Sequence, residues 1–465
     1  MDNNIFSNLP GTTADICWDG APEIIAISGA SRAELESRLI SLKNEFTVSP
    51  IQDHLKRLAA DSRVSFFPDH ACRLAWVIEN PENGLQDLNG AIENLQQNTA
   101  ACWNLPNIFY GEIACPGKPA FVFPGQGSQY LHMGRDLVIG FPEARQAMVH
   151  ANDLFDENRK LTDFIYPSLN PKPEQAVLEE NLRSTDIAQL AIGAVSLAMM
   201  KILRRFDIKP DAACGHSYGE LTALHAGGRF DEKTFLSLSA ARGKYMAAAG
   251  NAGEKGGMLA VKAPLDRIES LITESKLDLV LANRNSPDQG VLSGPTDAIA
   301  QMKSICREHK IIAAILPVSG AFHSRLVESA AAPFQKQVAA ATFSPSIVPV
   351  YSNTTASPYP DREEDAKKLL GGHLMNPVNF TKEIENMYQA GIRIFIEVGP
   401  RTVLTGLIKS ILKGHEIFAM GMDGSSGKQS GLTDLARILG LLVSIGYPVN
   451  LSGWKVSLRE TYGNC

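Results

Sequence analysis

The sequence Asp211-Ala-Ala-Cys-Gly-His-Ser-Tyr-Gly219 joins a short apolar run to a serine that is flanked by glycines. The run from Asp211 to Gly215 predicts a buried strand, and the residues after Gly219 predict a helix. A Gly-x-Ser-x-Gly turn in this context is typical of a nucleophile elbow, which is too tight for larger flanking residues. Such a turn directs the Ser217 hydroxyl away from the sheet. It also places the N–H of Tyr218 at a helix start, where it can stabilise an oxyanion.

Apolar, strand-like segments alternate with helical ones on both sides of this turn. Residues 120–123 predict a buried strand that ends in Pro-Gly, and residues 392–398 predict another that ends in Gly-Pro. Helices are predicted from about residue 185 to residue 206 and over 402–412. Strands that alternate with helices favour a mostly parallel sheet covered on both faces. We therefore predict an α/β fold with a hydrolase-like main body.

Residues 257–317 follow a different order of elements. Their pattern predicts strand, helix, strand, strand, helix, strand, which is the βαββαβ order of a ferredoxin-like unit. Insertion of a unit of this size into a larger α/β body predicts a small, lid-like subdomain. We expect the active site in the crevice between the two bodies, because ligand sites occur preferentially at such interfaces.

Shifts in composition divide the chain into four predicted parts. Residues 1–118 contain a predicted strand at 24–28 and predicted helices at 32–46 and 85–98, without a cluster of reactive side chains. We interpret them as a linker-like α/β unit. The remaining parts are a large subdomain, a ferredoxin-like small subdomain and a C-terminal tail with one amphipathic helix, over residues 119–256 with 318–424, 257–317 and 425–465.

Composition and charge exclude several classes of protein. The 465 residues are 44% hydrophobic and 20% charged, which excludes collagen-like, disulfide-scaffold and wholly disordered chains. The 44 basic and 50 acidic residues give a net charge of −6, which argues against nucleic-acid or anionic-membrane partners. Seven scattered cysteines without a C-x-x-C pair predict reduced thiols in the cytoplasm. The polar N-terminus does not match a signal peptide, and the apolar run 187–203 predicts a core helix instead of a membrane span.

A nucleophilic serine needs a base, and the chain has ten histidines. His323 lies in the short loop Ser319-Gly-Ala-Phe-His-Ser324, directly after the predicted small subdomain rejoins the main body. His216 is adjacent to Ser217, but a tight turn should point its ring away from the hydroxyl. His323 is therefore the better candidate by position.

A second glycine-containing turn, Phe123-Pro-Gly-Gln-Gly-Ser-Gln129, follows the strand at 120–123. It lacks the lysine of a phosphate-binding P-loop, and it lacks the glycine spacing of a dinucleotide-binding loop. Two interpretations stay open at this point. The N–H groups of the turn line an oxyanion hole, or the segment is an ordinary turn at the end of a strand.

Four segments together resemble one family: FVFPGQGSQ (121–129), GHSYGE (215–220), SGAFH (319–323) and IEVGPRTVLTGL (396–407). They occur in the order and spacing of malonyl-CoA:acyl-carrier-protein transacylases. The chain looks most like the acyltransferase domains of polyketide and polyunsaturated fatty acid synthases. The resemblance covers residues from about 120 to 424. The upstream region is similar to the linker that joins ketosynthase to acyltransferase in those synthases.

The resemblance implies roles for individual residues. Ser217 would be the nucleophile that accepts the acyl group, and His323 would be its general base and then the acid that protonates the leaving thiol. In this family a backbone carbonyl orients the histidine, and the matching segment His373-Leu-Met-Asn-Pro-Val378 implies the main chain of His373. The N–H groups of Gln126 and Tyr218 would form the oxyanion hole.

The resemblance also implies two residues that select the substrate. Arg242 would bind the free carboxylate of a malonyl group. It lies beside Leu238 and Met246 in a predicted apolar helix, where a guanidinium is costly without an anionic partner; a structural ion pair is the alternative. Phe322 keeps the bulk that goes with malonyl and would crowd an α-methyl group, whereas Gly320 departs from the family patterns and leaves more room.

The expected activity is transfer of a malonyl or related acyl group from CoA to the phosphopantetheine thiol of an acyl carrier protein, in polyketide or fatty acid biosynthesis. The resemblance implies ping-pong kinetics and no metal or redox cofactor. Expected partners are a CoA thioester, an acyl carrier protein and, as a further candidate, a ketosynthase, with no nucleic acid and no membrane. Two alternatives stay open. An acyl hydrolase that clears carrier proteins is disfavoured by Arg242, and a docking domain without turnover is disfavoured by Ser217, His323 and Gln126.

Overall fold

The computed structural model describes residues 21–48, 55–155, 158–168, 174–252, 256–318 and 320–456. Predictions that involve Ser319, Cys17, Cys465 or the N-terminal segment lie outside the described residues.

The N-terminal unit is built on an antiparallel sheet. Its elements are β1 (Glu23–Gly29), α1 (Arg32–Val48), α2 (Leu55–Val64), β2 (Cys72–Ile78), α3 (Gly84–Gln97), β3 (Cys102–Leu105) and β4 (Ile108–Gly111). The strands lie in the order β1-β2-β4-β3, and every neighbouring pair is antiparallel. The strand predicted at 24–28 and the helices predicted at 32–46 and 85–98 are confirmed.

The first half of the main body leads from the N-terminal unit to the elbow. Its elements are β5 (Lys118–Phe123), α4 (Arg135–Gly140), α5 (Pro142–Asp153), α6 (Leu161–Ile165), α7 (Gln175–Arg183), α8 (Thr185–Arg205), β6 (Ala212–Gly215), α9 (Gly219–Ala226) and α10 (Glu232–Ala252). Asp186 in the first turn of α8 and Arg204 and Arg205 in its last turn complement the helix dipole.

Helix α8 is long and apolar enough to cross a membrane, but 89% of its most apolar window is buried inside the protein. It is therefore a core helix, as its sequence predicts.

The inserted unit contains β7 (Gly256–Lys262), α11 (Leu265–Ser275), β8 (Val280–Ser286), β9 (Gln289–Pro295), α12 (Thr296–Glu308) and β10 (Ile312–Ile315). Its strands lie in the order β10-β7-β9-β8 and all neighbours are antiparallel. The βαββαβ element order matches the order predicted from the sequence, and it is the order of a split, ferredoxin-like unit. The limits of this unit as a separate subdomain stay a prediction. Ile268 of α11 and Ile299 of α12 share a hydrophobic core with Leu259 and Val261 of β7, so the helices cover one face of the sheet.

The second half of the main body completes the parallel sheet. It contains α13 (Glu328–Ala340), α14 (Glu363–Gly372), α15 (Phe380–Gln389), β11 (Ile392–Glu397), α16 (Val403–Ile411), β12 (Phe418–Gly421) and α17 (Gly431–Ser444). The strand order is β12-β11-β5-β6, and each neighbouring pair is parallel. Residues alternate between the two faces. Phe121 and Phe123 share a core with α8, whereas Ala120 and Val122 share a core with α15 and α16. The parallel sheet covered on both faces is thereby confirmed.

Helix α17, in the predicted C-terminal tail, packs against the N-terminal sheet. A Cβ built on Gly440 would lie 2.8 Å from the ring of Phe109 and 3.4 Å from the methyl group of Ala75. Leu439 belongs to the same hydrophobic core as Ala75 and the main body. The tail helix therefore joins the first and the second predicted parts of the chain, and the boundaries at 118/119 and 424/425 stay predictions.

Candidate active site

Ser217 lies at the turn between β6 and α9, with a left-handed φ of 50°. Gly215 and Gly219 must both be glycine, because neither position has room for a Cβ atom. A Cβ on Gly215 would lie 2.0 Å from the carbonyl carbon of Gly219, and one on Gly219 would lie 1.9 Å from the Phe123 oxygen. The N–H of His216 donates to that same Phe123 oxygen over 2.9 Å, which closes the turn against β5. The sequence thus folds into the predicted elbow because only glycine fits on either side of the serine.

The His323 ring reaches the serine from the loop that follows the small subdomain. Its Nε2 lies 2.7 Å from Ser217 Oγ, and its Nδ1 lies 2.9 Å from the Asn376 carbonyl oxygen and 3.3 Å from that of His373. Because Nδ1 faces only carbonyl acceptors, it carries the ring proton and leaves Nε2 free to accept one. The His373 carbonyl is therefore present, as expected, but the carbonyl of Asn376 makes the shorter contact and is the main orienting group.

Burial, reinforced by the nearby Arg242 charge, lowers the pKa of His323 to about 3. The imidazole is accordingly neutral near pH 7, which is the form that a general base needs. His216 is oriented differently. Its Nε2 lies 2.7 Å from the Asn285 amide oxygen of β8 and its ring packs edge-on against Phe380, so it contacts the small subdomain instead of the nucleophile.

Arg242 on α10 is 1% exposed and directs its guanidinium at the serine. Its Nη1 donates to the Gln189 amide oxygen over 2.8 Å and its Nη2 lies 3.4 Å from Ser217 Oγ. Among the described residues no carboxylate lies within ion-pair distance of it, and its Nε has no hydrogen-bond acceptor. Burial lowers the pKa of Arg242 to about 10, so the group is still a cation at neutral pH. The alternative of a structural ion pair therefore has no partner in the described part of the chain.

The two predicted oxyanion-hole groups lie on adjacent turns. A Cβ on Gly125 would lie 2.4 Å from the His216 carbonyl oxygen and 3.5 Å from the Tyr218 nitrogen, so the turn after β5 touches the elbow. Within the described residues, neither the Gln126 N–H nor the Tyr218 N–H donates a hydrogen bond to a backbone or side-chain acceptor. The Tyr218 side chain is buried elsewhere, with its hydroxyl 2.8 Å from Ser239 Oγ. Only the backbone of Tyr218 can therefore serve the site.

These groups meet at a cavity of about 240 Å³ between the large and small subdomains. Ser217, His323, Arg242, Gln126 and Phe322 line it on the side of the main body. The small subdomain contributes apolar and carboxamide side chains, among them Met258, Ala260, Asn283, Asn285, Gln289 and Val291. The cavity therefore lies in the crevice where the sequence predicts the active site.

Three polar residues at the site escaped sequence analysis. Gln189 holds Arg242, the Asn376 carbonyl orients His323, and the Asn353 amide oxygen accepts the Ser217 N–H over 2.8 Å. Gln189 had one detectable signal, since it is a polar residue within the otherwise apolar run of α8. Asn376 lies inside the matched segment 373–378, whose orienting carbonyl was assigned to His373. Asn353 has no local signal, because any loop asparagine looks the same in sequence.

Comparison with known proteins matches the part of the chain that contains the cavity-lining residues to one family. A family model described as acyl transferase domain matches residues 120–428. The chain is 37% identical over 304 residues to the polyketide biosynthesis malonyl CoA-acyl carrier protein transacylase PksC of Bacillus subtilis, covering 64% of this chain and 98% of that protein. It is 30% identical over 404 residues to one of the polyunsaturated fatty acid synthase subunits of Thraustochytrium sp., covering 83% of this chain but spanning only 14% of that protein.

Comparison with solved structures gives the same family and fold. The malonyl CoA-acyl carrier protein transacylase of Coxiella burnetii aligns with a TM-score of 0.62 and 28% identity, covering 72% of this chain and 99% of that chain. The acyltransferase domain from module 8 of the salinomycin polyketide synthase shares the fold over 92% of this chain and 97% of that chain, with a TM-score of 0.78 and 22% identity. The elbow, the histidine beside it and the matched residues lead to one conclusion: the chain belongs to the acyl transferase domain family.

Proposed function

We propose that this protein transfers a malonyl group from CoA to the phosphopantetheine thiol of an acyl carrier protein, through an ester on Ser217. The observation that carries the proposal is Arg242, a buried cation without an ion-pair partner among the described residues, 3.4 Å from the nucleophile. A carboxylate two bonds beyond the reacting carbonyl supplies the anion that this guanidinium lacks. Relatives named as malonyl CoA-acyl carrier protein transacylases support the same substrate.

The first half-reaction loads the enzyme. Ser217 Oγ attacks the thioester carbonyl carbon while His323 Nε2 takes the hydroxyl proton, and the Asn376 carbonyl stabilises the resulting imidazolium through Nδ1–H. The N–H groups of Gln126 and Tyr218 stabilise the oxyanion. The C–S bond then breaks, and the sulfur of CoA takes the proton from His323. What remains is a malonyl ester of the serine.

The second half-reaction repeats these steps with another thiol. The phosphopantetheine thiol of the carrier gives its proton to His323 Nε2 and attacks the ester carbonyl. The C–O bond breaks, and Ser217 Oγ recovers the proton. Because one base and one oxyanion hole serve both halves, CoA leaves before the carrier enters, and ping-pong kinetics follow. This scheme needs no metal and no redox cofactor.

Phe322 and Met246 bear on which acyl group is accepted. Phe322 is buried, lines the cavity and precedes the base, and Met246 lines the cavity one helical turn beyond Arg242. We assign malonyl as the preferred group because the Phe322 ring occupies space that an α-methyl group would need. Gly320, two residues before Phe322, adds no side chain to this wall.

The competing function is hydrolysis of acyl groups from carrier proteins. Both activities share the serine ester, and they differ in what accepts the acyl group. A hydrolase of unselected acyl chains has no use for a buried cation beside its nucleophile, since desolvating a guanidinium is costly. Arg242 therefore favours the transferase.

The partners of this reaction are a CoA thioester and an acyl carrier protein. A ketosynthase is a further proposed partner, because the N-terminal unit is similar to the segment that connects ketosynthase to acyltransferase in synthases. A cytoplasmic location and the absence of nucleic-acid and membrane partners stay predictions that rest on composition.

Mass spectrometry of the intact protein tests the proposal. We expect incubation with malonyl-CoA to add one malonyl mass, with methylmalonyl-CoA and acetyl-CoA loading less. Ser217→Ala should remove the added mass, and addition of a phosphopantetheinylated carrier protein should move it to the carrier. Loading of the Ala variant would exclude Ser217 as the nucleophile. Release of free malonate in place of transfer would favour the hydrolase.

A further inference from the structure

Asn353 spans the nucleophile elbow with one side chain. Its amide oxygen accepts the Ser217 N–H over 2.8 Å, and its Nδ2 donates to the Gly215 carbonyl over 2.5 Å. The two contacts lie on either side of His216. Asn353 comes from a distant segment that is anchored to β6, where the Tyr351 N–H donates to the Ala213 carbonyl over 2.9 Å. A single carboxamide thus closes the turn that carries the reactive hydroxyl.

The elbow needs such a closure because Ser217 is not a glycine. Its φ of 50° lies in the left-handed region, which is unfavourable for a residue with a side chain and persists only where neighbouring groups hold the backbone in place. Both bonds from Asn353 are made to the backbone of this turn. They fix the direction of the Ser217 N–H, and with it the direction in which Cβ and Oγ leave the chain.

The carboxamide is itself held in one orientation. Asn353 is fully buried, its Nδ2 makes a second bond of 2.8 Å to Glu383 Oε2, and its backbone N–H donates to Glu220 Oε2 over 2.6 Å. Glu220 in turn accepts the Tyr359 hydroxyl. Exchange of the amide oxygen and nitrogen would therefore set an NH₂ group against the Ser217 N–H and break the bond to Glu383.

The amide oxygen of Asn353 also connects the elbow to the base, His323, through His373. His373 Nε2 lies 3.3 Å from Asn353 Oδ1 and 3.7 Å from Glu220 Oε2. Two oxygens face this nitrogen, so it carries the ring proton, while Nδ1 has no partner among the described residues. Burial lowers the pKa of His373, which keeps the ring neutral. The carbonyl of His373 is one of the two that face His323 Nδ1. The contacts thus form a closed ring through Ser217, Asn353, His373 and His323.

We infer that Asn353 is a positioning residue for this acyl transfer, and that the His373 side chain supports it by linking the elbow to the segment that orients the base. The inference rests on the proposed function, since it concerns the nucleophile of that same reaction. Asn353 touches neither substrate nor reacting atoms. Its effect should therefore fall on kcat for every acyl group alike, whereas a loss at Arg242 should fall on malonyl alone.

Asn353→Leu tests the inference, because it keeps the approximate volume and removes all four side-chain hydrogen bonds. A misplaced nucleophile costs on the order of 10²-fold in rate. We expect kcat for malonyl and for acetyl loading to fall together by about this factor, with KM little changed. Labelling of Ser217 by a small fluorophosphonate should slow in parallel. Leu439→Ala is the control for stability, since it opens a cavity in the core beside the N-terminal sheet and should leave the rate per folded molecule unchanged.

A second pair of variants decides the matter if Asn353→Leu does not fold. His373→Leu removes the Nε2–H donor and keeps the backbone carbonyl, so labelling should slow, and His373→Gln should recover most of the rate because its amide can donate to Asn353. Rates in Asn353→Leu or His373→Leu within threefold of wild type, or equal losses in the two His373 variants, would overturn the inference. The fluorophosphonate needs no CoA substrate, so this series remains decisive even if the wild type fails to load malonyl and the proposed function is wrong.

Discussion

The two walls of the cavity differ in chemistry. The wall from the main body carries a nucleophile, a base and a cation, each held by buried hydrogen bonds: Ser217, His323 and Arg242. The wall from the small subdomain is made of apolar side chains such as Met258 and Val291 and of carboxamides such as Asn283. The wall from the main body can therefore transfer protons and stabilise charge. The wall from the small subdomain can exclude water and limit the size of the acyl group.

The difference follows from how the two sheets are built. In the parallel sheet, Ser217 and the turn after β5 both lie at the carboxyl ends of strands, where loops and a helix N-terminus concentrate polar groups. In the antiparallel sheet of the small subdomain, Met258, Ala260 and Val291 lie on one face in adjacent strands. Such a face offers side chains but no unpaired backbone. Substitutions in the wall from the main body should therefore change proton transfer or charge recognition. Substitutions in the wall from the small subdomain should change how well the acyl group fits the cavity.

The largest effect is expected at the base. His323→Ala should slow acylation by about 10²–10⁴-fold, the usual contribution of a positioned acid–base group. Stopped-flow measurement of CoA release gives the rate. The control is His225→Ala, because His225 stacks on Phe235 and its Nδ1–H donates to the Phe230 carbonyl, outside the cavity. A near-normal rate in His323→Ala would assign proton transfer to another group.

The second effect separates charge recognition from catalysis. Arg242→Ala should strand the malonyl carboxylate in a desolvated pocket, at about 2–5 kcal/mol, or roughly 30- to several-thousand-fold in kcat/KM at about 1.4 kcal/mol per decade. Acetyl loading should hardly change, since acetyl has no carboxylate. Arg242→Lys should recover only part of the malonyl rate, because an ammonium cannot donate two parallel hydrogen bonds. Equal losses for both acyl groups would make Arg242 structural and restore the hydrolase as a candidate.

A third effect concerns pH. The Arg242 charge is, after burial, the largest cause of the low pKa of His323, and the other groups that face the ring, His216 and His373, are held neutral by burial. Arg242→Ala should therefore raise the pKa of His323 from about 3 toward its ordinary 6.5. A protonated ring cannot accept the serine proton, so the acidic limb of the acetyl-loading profile should move to higher pH. An unchanged limb would show that the two charges are not coupled.

The smallest effect is expected on the other wall. Val291→Ala removes the equivalent of two carbons from the cavity lining, and at about 0.8 kcal/mol per buried carbon the loss in kcat/KM should be roughly 15-fold at most. It should be the same for malonyl and acetyl. Val261→Ala is the matched control, since Val261 lies on the neighbouring strand but packs into the helix-covered core and does not line the cavity. A loss selective for malonyl would mean that the small subdomain also contributes to recognition of the malonyl carboxylate.

Sequence by itself determined the parts of this protein that depend on local rules. The elbow follows from two glycines around one serine, and the βαββαβ unit follows from alternating periodicities within a single stretch of chain. The core helix α8 follows from its apolar run. Ser217 and His323 were predicted from two of the four ordered motifs, and Arg242 was predicted from the family's arginine 25 positions after Ser217, because each of these short segments keeps its residue types within a few positions.

Only the tertiary structure decided how these residues are held. The Asn353 oxygen that binds the Ser217 N–H is 136 positions away in sequence, and the Asn376 carbonyl is 53 positions from His323. Short strands such as β3 and β4 also escaped prediction, and so did the packing of α17 on the first sheet. Long-range hydrogen bonds and helix-to-sheet contacts depend on where the fold brings distant segments together. Composition and periodicity describe each segment alone, so they cannot predict which distant segments come into contact.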